Sequence, residues 1–237
     1  MIAPPRHGGV RGGQAVRERT MGQEFKNHDM TMMFTIHNAL RRELERIARI
    51  TARVDDDPRH VLSCAVGWEL FKNNLTIHHT SEDLTLWPVM QQALADRPDD
   101  LALLDAMESE HAVIDPLLVD IDAALADREG GLERLTGLTD TLNTLLRNHL
   151  LHEEREALTL MDTTLTNEQW AAFGKEQSGR HTDDIPTYLP WLLDGMNSDQ
   201  LNQFLDNMPP PMRTAYESEW RIAYDDLDIW NTHSKTH

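Results

Sequence analysis

One metal-ligand step occurs twice in this chain of 237 residues. His78 and Glu82 stand four residues apart, and His149 and Glu153 repeat the spacing. Residues four apart on a helix share a face, so each step aims one imidazole and one carboxylate at a common point. A solitary histidine precedes each copy on an earlier amphipathic stretch: His37 lies 41 residues before His78, and His111 lies 38 before His149. Shifting the first copy by 71 residues lays Leu75 on Leu146, Glu82 on Glu153, Asp83 on Glu154 and Met90 on Met161. The repeat demands two helix pairs, each supplying half of a shared site, with a pseudo-twofold axis between the halves. Four histidines and two carboxylates converging from four helices suit a pair of bridged iron ions.

The apolar periodicity places those residues on helices. The first helix is expected from about His28 to Val54, burying Ile36, Leu40, Leu44 and Ile47 on the side that carries His37. Asp57-Pro58 reads as an N-cap followed by proline at the first helical position. From there Val61, Ala65, Trp68, Phe71, Leu75, His78, Glu82, Leu86 and Val89 follow one stripe. Pro98 with Asp99 and Asp100 opens a third helix whose stripe includes Leu104, Met107, His111, Leu118 and Ile121, and Gly130-Gly131 ends it. The fourth stripe runs through Leu135, Leu142, Leu145, His149, Glu153 and Leu160. Every proposed ligand lies inside an apolar stripe, where a charged carboxylate is costly unless it is paired or metal-bound. No long strand signal occurs, so the expected fold is all-α.

Charge and cysteine content narrow the partners. The net charge is −18, and residues 1–20 are basic, leaving 18 Lys and Arg against 39 Asp and Glu in the rest. An acidic body of this kind repels phosphate backbones, which excludes nucleic acid as an expected partner. Cys64 is the single cysteine, so no intrachain disulfide can form, and a reducing cytoplasm is expected. Cys64 is expected to pack as a small apolar residue. No apolar run is long enough to cross a bilayer. Residues 1–27 read as a disordered lead-in without the apolar stretch of a signal peptide, and Met21 or Met30 is a candidate start. The cluster Met30, Met32, Met33 reads as core or interface packing.

After the bundle, residues 166–237 form an expected helical extension. Thr166 with Gln169 makes a capping box for a short helix through Trp170 and Phe173. A looser Gly/His/Asp segment follows, then Tyr188-Leu189-Pro190-Trp191, a helix near Asp199 to Asn207, and a last helix from about Met212 to Trp230. Trp170, Trp191, Trp220 and Trp230 all fall in this extension, which implies packing against the bundle, a protein partner or a second copy.

At residues 28–165 the chain resembles the hemerythrin family, specifically bacterial hemerythrin-like proteins with the HHE cation-binding domain. The segments "FTIHNALRREL", "HHTSEDLTLWPVM", "ESEHAVIDPLL" and "NHLLHEEREALTLM" carry the resemblance. "YLPWLLDGM" and "WRIAY" resemble C-terminal extensions of some members. The resemblance implies an up-down four-helix bundle holding a non-haem di-iron centre, oxo- or hydroxo-bridged. His37 and His78 would ligate one iron, His111 and His149 the other, and Glu82 and Glu153 would bridge them. Hemerythrins proper carry His-x-x-x-His on the third helix and His-x-x-x-x-Asp on the fourth. Here Asp115 follows His111, and the step to Glu153 is shorter by one residue. Water, the bridging oxygen, or side chains such as His79, Asp115, Glu108 or His152 would complete the coordination. Asp115 also precedes Pro116, which strips the carbonyl of residue 112 of its donor, so a backbone role is the competing reading. His79 and His152 each neighbour a ligand and also read as outer donors or exposed residues, so they stay outside the six-residue ligand set.

Other metal motifs fail. A ferritin-like oxidase needs Glu-x-x-His on two helices, and Leu146 stands where the second glutamate belongs. A zinc protease needs His-Glu-x-x-His, but Glu156 follows His152-Glu153-Glu154-Arg155. The expected function is binding or sensing of a small ligand (oxygen, nitric oxide or peroxide). The alternatives are a di-iron enzyme consuming peroxide or reducing nitric oxide, and an iron-responsive interaction module.

Overall fold

The computed structural model describes residues 25–52 and 57–230. Residues 1–24 of the expected lead-in, with Met21, lie outside that range, as do His233 and His237. The last residues of the lead-in are anchored, contrary to expectation: Lys26, Asn27 and His28 donate their backbone N–H groups to the Asp162 carboxylate at 2.8–2.9 Å. That anchor holds His28 outside the first helix, α1, which begins at Thr31 and ends at Thr51. Ile36, Leu40, Leu44 and Ile47 are buried along it as their spacing requires.

The second stripe, expected as one helix, is three. α2 covers Pro58–Cys64, α3 Val66–Thr85 and α4 Trp87–Ala93. Asp57 caps α2 through Arg59 N–H with Pro58 at the first turn. The break at Ala65, whose backbone is extended, has a tertiary cause. Gly67 N–H donates to Ile229 O at 2.6 Å, and the Trp230 ring lies where a Cβ on Gly67 would stand 2.4 Å away. Only glycine allows that approach. The second break, at Leu86, precedes Pro88, which cannot donate to the carbonyl one turn back. Cys64 is exposed at the end of α2 rather than packed, because that helix stops before its stripe resumes.

α5 spans Pro98–Ala126 and continues through Pro116 without interruption. Gly130-Gly131 separates it from α6, Gly131–His152. A π-helical turn, Glu153–Ala157, then joins α6 to α7, Leu158–Thr164. α1, α3, α5 and α6 contact one another in chain order, and α6 closes back on α1. Two apolar clusters fill the interior. One runs through Leu40, Leu44, Trp68, Phe71, Ile121 and Leu142. The other contains Met33, Trp87, Met90, Leu104, Met107 and Met161. Met30 and Met33 are buried, whereas Met32 faces outward.

The extension is also helical. Thr166 and Gln169 form the expected capping box, but α8 runs on to Arg180 through the glycines expected to loosen it. α9 (Ile185–Leu193), α10 (Ser198–Asp206), α11 (Pro210–Ala215), a second π turn (Tyr216–Trp220) and α12 (Arg221–Asp226) follow. Trp191 and Trp230 are buried in the same apolar cluster as Leu40 and Leu44. The tryptophans thus cover this chain's own bundle. Arg42 reinforces the contact by donating to the carbonyls of Trp191 and Asp194. Among the described residues there is no strand, and no helix is long and apolar enough to cross a membrane.

Candidate metal centre

Between the two apolar clusters lies a buried polar layer built from the doubled step. His37 Nε2 stands 3.1 Å from His78 Nε2, and His111 Nε2 stands 3.1 Å from His149 Nε2. Glu82 spans the two pairs, one oxygen 3.5 Å from His78 Nε2 and the other 3.6 Å from His111 Nε2. Glu153 reaches both pairs through one oxygen, Oε2, 3.1 Å from His37 Nε2 and 3.9 Å from His149 Nε2. All six residues that the sequence singled out therefore meet, each nearly or wholly buried.

The outer ring nitrogens are held by carboxylates. His37 Nδ1 donates to Glu154 at 3.0 Å, and His111 Nδ1 donates to Asp83 at 2.8 Å. Asp83 and Glu154 each follow a spanning glutamate and each reach the solitary histidine of the opposite half. His149 Nδ1 donates to Glu110 at 2.8 Å, and Glu110 also takes His152 Nδ1. Fixing Nδ1–H on an acceptor leaves Nε2 as the lone-pair donor and orients the ring. Sequence reasoning did not assign Asp83, Glu110 or Glu154 these roles, although the repeat had aligned Asp83 on Glu154.

A consecutive pair serves one ring in each half: Glu82 and Asp83 do so for His111 from the regular helix α3, and Glu153 and Glu154 do so for His37 from the π turn. In a regular helix neighbouring side chains diverge by about 100°. In the π turn Glu153 meets His37 at Nε2 while Glu154 meets it at Nδ1, and both are buried. π turns are frequent at functional sites.

The four residues considered for completing the coordination separate cleanly. Glu108 accepts from Gln91, and His152 is partly exposed on Glu110. Asp115 is turned away from the centre and accepts from His79 Nδ1 at 2.7 Å. His79, expected as an outer donor or an exposed residue, is instead fully buried beside the layer. Exposure differs among the tethers: the side chains of Asp83, Glu110 and Asp115 are 39%, 32% and 44% exposed, against 3% for Glu154. His181 of the extension stacks on Tyr188 and bonds Asp184, away from the layer.

The electrostatics of the layer follow from its burial and from the charges that face one another in it. Burial and the Glu153 charge push the Glu82 carboxyl well above its usual range. Burial alone would lower His37, but Glu153 and Glu154 outweigh it and raise the imidazole to about 9. Glu153, despite burial, is held below the carboxylate range by His37, and Glu154 is held down at about 2. Burial lowers His78 and His79 well below the histidine range, with the neighbouring imidazoles adding to it. Both oxygens of Glu82 and of Glu153 lack a hydrogen-bond partner, as does His79 Nε2. Such burial is costly for polar atoms, and a metal ion resolves it. Imidazole and carboxylate donors suit iron. Among the described residues two donor groups are close enough to hold an ion: His37, His78, Glu82 and Glu153, and His79, His111 and His149.

A helical interior with paired histidines and spanning carboxylates defines the class: an all-α metal-binding domain. Residues 28–161 match the hemerythrin HHE cation binding domain, over half of the chain, and the protein belongs to that family. Comparison with curated proteins and with solved structures finds no match.

Proposed function

We propose that the chain is a non-haem di-iron protein that binds or senses a small ligand (oxygen, nitric oxide or peroxide) at this centre. One observation carries the reading: two Nε2 pairs, each 3.1 Å apart, are spanned by two wholly buried carboxylates with no other partner. On this reading His37 and His78 hold one iron, His111 and His149 the other, and Glu82 and Glu153 bridge them. Iron bound there would supply open coordination positions and electrons to a small ligand. The protein's own contribution is enclosure. Trp87, Met90, Leu104 and Met107 wall one side, and Phe71, Leu75, Leu146 and Leu150 the other, which keeps bulk water away. A cleft of about 330 Å³ lined by Ala106, Val113, Ile114 and Leu145 reaches His149 and Glu110 and offers an approach for a small apolar molecule. The metal-binding unit is residues 28–165, with the described residues 166–230 a covering extension. The single cysteine suits a reducing cytoplasm.

The test is iron content with optical spectra of the reduced protein, with and without oxygen, nitric oxide or peroxide. A binder gives two irons per chain and a spectral change that saturates at one equivalent of ligand. Steady consumption of excess peroxide or nitric oxide would replace this reading with the enzymatic one. Protein purified and reconstituted without iron would end both.

A further inference from the structure

We infer that His79 is a fifth imidazole ligand of this centre, so that the ion beside His111 and His149 has three histidines and the ion beside His37 and His78 has two. The inference rests on the di-iron reading above. It begins from the buried Nε2 of His79, which has no hydrogen-bond partner in a side chain that is 0% exposed. Its other nitrogen is fixed by Asp115 at 2.7 Å, the same carboxylate tether that orients His37, His111 and His149. The free nitrogen thus carries the lone pair, as in the other three. The ring lies parallel to His111, with centroids 3.9 Å apart and planes 10° apart, so the two rings present inner nitrogens side by side. His79, His111 and His149 offer ligand atoms all within 4.8 Å of one another, a spacing suited to three donors on one ion.

The repeat shows that packing alone does not require a histidine. The residue after His149, corresponding to His79, is Leu150, which is fully buried in the apolar cluster. One turn after His37 stands Arg41, where one turn after His111 stands Asp115. Arg41 pairs with Glu154 and cannot tether an imidazole. The departure from twofold symmetry therefore comes as a matched pair, His79 with Asp115, on the His111 side only. A histidine that merely filled space would leave an unpaired polar atom in the core, which the leucine of the other half avoids.

The experiment uses the full-length protein loaded anaerobically with Mössbauer-active ferrous iron alone, comparing wild type with His79→Phe and Asp115→Ala. Phenylalanine keeps an aromatic ring on His111 but has no nitrogen to ligate. Wild type should hold two irons with two distinct Mössbauer signals. His79→Phe should keep the signal of the His37 side and release the other iron to a chelator at least about tenfold faster, since even residues that only support ligands cost about 10–100-fold in affinity. Asp115→Ala, an outward-facing change, should speed release of the same iron by about tenfold. Imidazole added to His79→Ala should restore retention. Two irons with unchanged signals and release rates in both variants would overturn the assignment of His79 while leaving the di-iron reading intact. Failure of wild type to load iron would instead remove the reading beneath it.

Discussion

Trp230 donates its indole N–H to the Glu43 carboxylate at 2.7 Å, so the last described residue is bonded to the middle of α1. Glu43 is wholly buried and also accepts from Arg42 and Arg46. The indole ring covers Gly67 at the α2–α3 break. Trp230→Ala should therefore lower stability by about 3–5 kcal/mol in urea unfolding, the usual range for a buried tryptophan. Iron per chain should not change, because no ligand is involved. A chain ending at Thr166 should likewise retain iron while exposing the apolar surface that Trp191, Leu192 and Trp230 cover. If the truncated protein folds without binding iron, the extension is part of the site.

On the di-iron reading Glu82 and Glu153 are shared by both ions. Glu82→Ala or Glu153→Ala should release or scramble both irons, and the double substitution should abolish loading. His37→Ala should weaken one ion more than the other. Metal analysis after desalting decides this, and full loading of the double variant would exclude the bridging assignment.

Without metal the two glutamates should behave differently. Burial and Glu153 raise the pKa of Glu82 and favour its neutral form, so Glu82→Gln, a neutral isostere, should change stability by under about 1 kcal/mol. Glu153 is charged against His37, so Glu153→Gln leaves a buried imidazolium with a lost partner and should cost about 3–5 kcal/mol. Thermal melts of the iron-free proteins test this. Equal losses would mean that the proton sits elsewhere.

The iron-free protein should be most stable near pH 6.5, the ordinary histidine value. Raised groups stabilise at low pH: His37 contributes fully below 6.5 and loses its contribution as pH climbs through about 9, and Glu82 acts in the same direction. Lowered histidines act oppositely. His78, His79 and His149 take up protons in the unfolded chain first, so stability falls as pH drops below 6.5. Three such groups outweigh Glu82 there. Glu154 adds a further loss as pH falls from 4.5 through about 2. Melting temperatures across this range should pass through a maximum, and iron should move it upward because binding displaces ligand protons. A steady rise in iron-free stability through pH 9 would contradict the sign for His37.

The six convergent residues were legible because helical spacing converts directly into a shared face, and a repeat doubles the signal. Asp83 and Glu154 were half legible: the alignment paired them, but their crossing to His111 and His37 depends on how the two halves pack. His79 was legible only as one of several candidates to complete the coordination: it sits about 100° round the helix from His78, and its burial depends on the approach of His111, Asp115 and His149. The break at Ala65 left no local mark either, since its cause, Ile229 and Trp230, lies more than 160 residues away. Nothing in the residues from Glu153 to Ala157 announces a π turn, and I-to-I+4 spacing alone predicts an ordinary helix there.

The tethers divide the centre into a wet half and a dry half. Asp83, Glu110 and Asp115 all reach solvent, whereas Glu154, behind His37, does not. A change of charge on the His111 side is therefore answered by water and mobile ions, while the same change on the His37 side is answered only by fixed protein dipoles and Arg41. Two otherwise matched positions thus sit in unequal dielectric surroundings. A charge placed in this layer therefore meets unequal surroundings on its two sides, and ionic strength acts on one side more than on the other.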